Sequence, residues 1–176
     1  DATARFSDLE VRPLQLTSDP AAPAPLPKVF ISHSSHDAEL AGRLVDLLRL
    51  ALNLNTPDIR CTSVDGHGLP GGADINQHVR REVLSVPVLL GLISPVSMRS
   101  AYVLFELGAR WGRELPLIPL LAPGVEPSSL REPLASLHAL SADRRPDLQQ
   151  LIGEVAKHAK VSQEPPHAYD RAIEAL

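Results

Sequence analysis

Aromatic residues make up only 3% of this 176-residue chain. A base-stacking nucleic-acid surface and an aromatic sugar cleft both need exposed rings, so neither is expected. Cysteine is rarer still. Cys61 stands alone, which excludes an intrachain disulfide and any multi-cysteine metal site and points to a reducing, cytoplasmic setting. The seven histidines show no His-x-x-x-His spacing, so no metal is expected. His33 and His36 lie in one loop and read as structural or solvated. A net charge of -4 and a pI of 6.0 leave no basic footprint for nucleic acid. The apolar runs are too short to cross a bilayer, and no signal peptide is expected. The chain opens on Asp1, so the expectation is a fragment or processed form. A G-x-x-x-x-G-K-S/T phosphate loop is missing as well.

What is present suits one domain: hydrophobic residues reach 44%, enough for a single core at this length. Residues 1–18 are mixed, with one short alternating stretch. Residues 19–27, D-P-A-A-P-A-P-L-P, favour extended conformations and read as a linker. From Lys28 onward apolar runs alternate with helical periodicity. Strands are expected at 29–31, 59–64, 86–93, 115–121 and 137–140. Helices are expected after Ser34, where Asp37 completes a capping-box spacing, after Asp74, after Ser97 as N-cap, and over 146–160. Pro119 conflicts with a central fourth strand. Residues 161–176 form a tail or a short helix. Alternating strands and helices imply an α/β, doubly wound, five-stranded parallel sheet, with ligands at the carboxyl ends of the strands. The places to look are therefore 33–37, 65–74 and 94–106.

Gly66, Gly68 and Gly71 literally match G-x-G-x-x-G, yet they follow the second strand rather than the first, and Pro70 interrupts them. A dinucleotide fingerprint belongs in the first strand-to-helix turn. The glycines have a simpler use as an adaptable loop, either a lid or a contact surface for another copy of the domain.

The stretch 94–111, S-P-V-S-M-R-S-A-Y-V-L-F-E-L-G-A-R-W, puts Glu106 inside an apolar helix. Helical spacing aligns Tyr102, Glu106 and Arg110 on one side and Leu104, Leu107 and Trp111 on another. Two readings of Glu106 stand: a solvated residue paired with Arg110 at i,i+4, or a carboxylate serving a site.

Three motifs together resemble the TIR (Toll/interleukin-1 receptor) domain family. V-F-I-S-H-S-S-H-D at 29–37 looks like its first-strand motif. L-P-G-G-A-D-I at 69–75 is similar to the proline-glycine segment of its BB loop. The serine-rich segment ending in F-E-L-G resembles its S-x-x-S-x-x-S-x-W-x-x-x-E-L motif, with Tyr102 in place of the tryptophan. The resemblance covers roughly 28–160. It implies a flavodoxin-like sheet in the order 2-1-3-4-5, and, for the bacterial NAD-hydrolysing type, cleavage of the nicotinamide–ribose bond with Glu106 as the catalytic residue.

The resemblance further implies that Ser32, His33, Ser34, Asp65 and Tyr102 line the substrate site. For the serines and His33 a cap or loop hydrogen bond is an equal alternative. Gly66, Gly68, Leu69, Pro70 and Gly71 would form the BB loop used in oligomers. The implied partners are NAD+ as substrate rather than cofactor, other TIR domains and a sensor domain or subunit, with no membrane. The alternative within the family is a noncatalytic adaptor.

Overall fold

The computed structural model describes residues 26–61 and 75–176. Five short strands, β1 (Val29–Ser32), β2 (Ile59–Arg60), β3 (Val88–Ile93), β4 (Leu117–Leu121) and β5 (Leu140–Ser141), form one sheet in the order β2-β1-β3-β4-β5. Every pairing is parallel. The helices are α1 (Ala38–Leu52), α2 (Ile75–Ser85), α3 (Ala101–Gly112), α4 (Arg145–Ala159) and α5 (Asp170–Glu174). This is the flavodoxin-like arrangement expected.

Period-two alternation divides the core. Val29, Ile31, Leu90, Leu92 and Leu120 face α1 and α4 in one apolar cluster. Phe30, Leu89, Ile93 and Leu121 face the opposite way and pack with Val83 of α2 and Val103 and Leu107 of α3. Ser32 follows Phe30 by two residues, so it points to the α3 face.

Pro119 does sit in central β4, paired with Gly91. Alternation explains why this is tolerated. Leu89 N–H donates to the Pro116 carbonyl and Ala122 N–H to the Ile93 carbonyl, so even-numbered β4 residues bond to β3. Odd-numbered ones face β5, as the Ala142 N–H bond to the Leu121 carbonyl confirms. Pairing with β5 begins only at Leu120↔Leu140. The nitrogen of Pro119 thus points where no ladder bond is available to lose.

Residues 161–176 pack on α1. Glu164 N–H donates to the Ala51 carbonyl at 2.8 Å, and Gln163 holds the Tyr169 hydroxyl at 2.8 Å. Tyr169 and Ile173, spaced i,i+4, enter the α1–α4 core cluster.

Candidate functional site

The carboxyl ends of β1 and β3 bring together the segments that carry the site. Ser32 closes β1 and is almost fully buried at 1% exposure. Its Oγ donates to Glu106 Oε2 at 2.5 Å. A strand residue and a helix residue 74 positions apart thus meet on the α3 face of the sheet. Burial raises the Glu106 carboxyl above its ordinary value, and the Ser32 bond pulls partly the other way.

The Glu106–Arg110 pair that one of the two readings offered does not form. Arg110 is fully buried and reaches four backbone carbonyls instead. Its Nη1 donates to Val83 at 3.1 Å and Val86 at 3.0 Å, and its Nη2 to Pro116 at 2.6 Å and Pro87 at 3.5 Å. Desolvation lowers its pKa to about 10, so it remains charged at neutral pH, beside the negative end of α2. The core stripe of α3 is Val103, Leu107 and Arg110, whereas Leu104 and Trp111 are 39% and 44% exposed. Leu107 is shared by the expected stripe of Leu104, Leu107 and Trp111 and the observed one of Val103, Leu107 and Arg110, each made of one i,i+3 and one i,i+4 step, so spacing alone could not choose between them. A cation at i+7 from Val103 and i+3 from Leu107 was the signal available.

The cap of α3 also differs from expectation. Ser100, not Ser97, is its N-cap and accepts from Val103 N–H at 3.4 Å. Ser97 belongs to a preceding single turn, Ser97–Arg99, and is fully buried. Its Oγ accepts from Ser94 N–H at 2.8 Å and donates to the Ser94 carbonyl at 3.1 Å. The Ser94 hydroxyl accepts from Val96 and Ser97 N–H, at 3.2 and 3.0 Å, and donates to Asp37 Oδ2 at 2.7 Å.

Asp37 therefore does not complete a capping box with Ser34, and it makes no side-chain cap bond to α1. Its role across the sheet was not foreseen; the regular spacing of Ser94, Ser97 and Ser100 was the clue. Ser34, 7% exposed, caps the short turn Ser35–Asp37 by accepting from His36 N–H at 3.3 Å.

The half-buried His33 holds Nδ1 at 3.1 Å from the Ile31 carbonyl. Cys61 Sγ lies 3.9 and 4.0 Å from its two ring nitrogens. Desolvation lowers the His33 pKa, against smaller raising effects from the Ile31 carbonyl and Asp37, so a neutral ring is favoured. Cys61 is buried just past the end of β2. Tyr102 stands one turn before Glu106 on α3 with 72% of its surface exposed. Asp65, Gly66, Gly68, Leu69, Pro70 and Gly71 lie outside the described residues. The helix that follows them is tied to β2 by a bidentate Arg60–Glu82 pair, both bonds 2.7 Å.

An open groove of about 540 Å³ between α1 and α5 is lined by Arg43, Asp46, Arg49 and Asn53 among others. It lies on the α1 face of the sheet, away from Glu106, and Arg43 is already bound to Glu39 and the Ala175 carbonyl. Among the described residues no cluster of His, Cys, Asp or Glu could hold a metal ion, and no helix is long and apolar enough to cross a membrane.

The Glu106 site offers one ionisable carboxylate with one oxygen fixed by a hydroxyl, able to face developing positive charge. The family model for the TIR domain matches residues 29–152. A Bacillus subtilis (strain 168) protein, "Uncharacterized protein YddK", is 32% identical over 97 residues, which are 55% of this chain and 36% of that protein. The chain thus spans about a third of the length of that relative. The TIR domain of the Toll-related receptor TRR-2 from Hydra magnipapillata superposes with a TM-score of 0.55 at 16% identity, covering 73% of this chain and 97% of that one. A metazoan TIR-STING receptor from C. gigas gives 0.53 at 17% identity, covering 81% and 46%. At these identities the two structures speak for the fold.

Proposed function

Since the chain belongs to the TIR domain family, matched over most of its length, we propose that it cleaves the nicotinamide–ribose bond of NAD+, with Glu106 as the catalytic residue. The observation that carries this reading is the half-buried Glu106 carboxylate, held by Ser32 at the carboxyl end of β1. Nicotinamide leaves as a neutral molecule from a cationic pyridinium, so a general acid is not required. Positive charge develops on the ribose as the bond lengthens. A preorganised carboxylate beside that ribose stabilises the charge, and its second oxygen is available to a ribose hydroxyl.

Water attack then gives ADP-ribose, and attack by a group of the same molecule gives a cyclic product. NAD+ is substrate here, and the reaction needs no further cofactor. By the family resemblance, His33, Ser34, Tyr102 and Asp65 would contact the substrate beside Ser32 and Glu106, with Asp65 and the glycine loop lying outside the described residues. In the cell the domain would act in the cytoplasm as an antiphage, cell-suicide effector, switched on when a sensor domain or subunit makes copies associate. The test is nicotinamide release by assembled protein. A folded Glu106→Gln variant should lose at least about 100-fold in rate, the scale for removing one preorganised charge-stabilising group. Undiminished release by that variant sinks the reading.

A second reading, a noncatalytic adaptor binding other TIR domains, draws on the apolar surface of α3. Tyr102 and Phe105 are 72% and 66% exposed, and exposed aromatic patches suit protein contacts. Retained partner binding with no turnover in confirmed assemblies would favour it.

A further inference from the structure

The connection between β1 and α1 grips the 94–106 segment at two points. Ser32, the last residue of β1, holds Glu106 itself. Asp37, at the start of α1, holds Ser94, where β3 hands over to the turn that launches α3. Both bonds join the same two stretches of chain, so together they fix the lie of α3 against β1 as well as its distance.

The Ser94 hydroxyl is fully committed. Its one proton goes to Asp37, and its lone pairs take the Val96 and Ser97 amides. Asp37 thereby orients the hydroxyl that organises the turn, through a charge-assisted bond in a half-buried setting. Ser97 closes the turn on Ser94, and Ser100 then caps α3. Without Asp37 the Ser94 proton has no defined direction, and the turn can rotate. Glu106 lies a turn and a half into α3, so a tilt at the helix start displaces its carboxylate. Because Asp37 makes no cap bond to α1, its loss takes no side-chain cap from that helix.

We infer that Asp37 is a positioning residue for Glu106, acting through Ser94 to set where the carboxylate meets the substrate ribose. This rests on the NAD+ reading of Glu106. Positioning acts on transition-state geometry more than on substrate affinity, and displacements of about 1 Å can cost 100-fold in rate.

The test uses the full chain with Asp37→Ala, Asp37→Asn, Ser94→Ala and the Asp37→Ala/Ser94→Ala double variant, each checked for a cooperative melt. Both alanine variants should lower kcat about tenfold or more with KM within about twofold, and the double variant should be no worse than either. Asp37→Asn, which keeps an acceptor oxygen, should recover most of the loss. In the same samples the carboxyl carbon resonance of Glu106 should move in both alanine variants. Unchanged kcat, effects confined to KM, multiplying losses or an unmoved Glu106 resonance would each overturn the inference. Should wild type not turn over NAD+, the functional reading fails and the resonance alone decides: movement supports the clamp, and no movement overturns it. If Asp37→Ala does not fold, Asp37→Asn and Ser94→Ala carry the same readouts.

Discussion

At Glu106 two effects oppose each other: burial holds the proton on, and Ser32 helps the carboxylate ionise. Folding therefore leaves the group with a pKa above its unfolded value. The stability this contributes is complete below the unfolded pKa and is lost as pH rises through the folded one. At neutral pH the buried charge is a net cost, so Glu106→Gln should stabilise the protein by about 0.5–2 kcal/mol, the scale typical of relieving a functional site. Thermal melts across pH should show that gain shrinking on acidification. Ser32→Ala removes the bond that favours ionisation, so the acidic limb of the NAD+ cleavage profile should move to higher pH in that variant. A limb left in place would mean that Ser32 does not tune the carboxylate. The position of Glu106 was legible from its motif, but its true neighbour was not. Helical spacing suggests Arg110, four residues away, whereas Ser32 is brought in only by the parallel sheet. Sequence spacing reports contacts along a helix and is silent about contacts across it.

At the scale of elements, α3 is held by a buried cation and by close packing. Arg110 ties it to the end of α2 and the approach to β4 through bonds to the Val83, Val86 and Pro116 carbonyls. Arg110→Met should cost about 3 kcal/mol or more in denaturant melts, because those carbonyls lose a charged partner. Arg110→Lys should restore little, since an ammonium cannot span both sets of acceptors. On the sheet side, a Cβ at Gly91 would come within 2.5 Å of Leu107 Cδ2. Gly91→Ala should therefore destabilise by about 1–3 kcal/mol through overpacking. Adding Leu107→Val should recover part of that loss, and a double variant no better than the single would contradict the packing account. The alternation of strands and helices could be read from apolar periodicity, although the fifth strand, expected at 137–140, forms at Leu140–Ser141. The exact start of α3 could not, because Ser97 and Ser100 are both competent caps. Only the Ser94–Ser97 turn, closed by Asp37 from the other side of the sheet, decides between them.

For the whole molecule, the order β2-β1-β3-β4-β5 does the gathering. It sets β1 beside β3, so the segments that leave their carboxyl ends meet, and the Glu106 carboxylate becomes half-buried without an opposing cation among the described residues. Crossover rules made a parallel, doubly wound sheet predictable, whereas its strand order was implied by the resemblance to the TIR family. Pro119 fits this order because its nitrogen faces the edge before pairing with β5 begins. Less legible was the end of the chain, where Tyr169 and Ile173 form too short a periodic pattern to announce that they join the core. The central claim is that this fold makes Glu106 a catalyst of NAD+ cleavage. Chromatography of NAD+ and its products, at protein concentrations high enough for assembly, tests it most directly when wild type and a folded Glu106→Ala variant are compared. Nicotinamide with ADP-ribose or its cyclic form should accumulate with wild type and fall by at least about 100-fold in the variant. Equal accumulation by the two proteins, or intact NAD+ beside confirmed wild-type assemblies, would contradict the account.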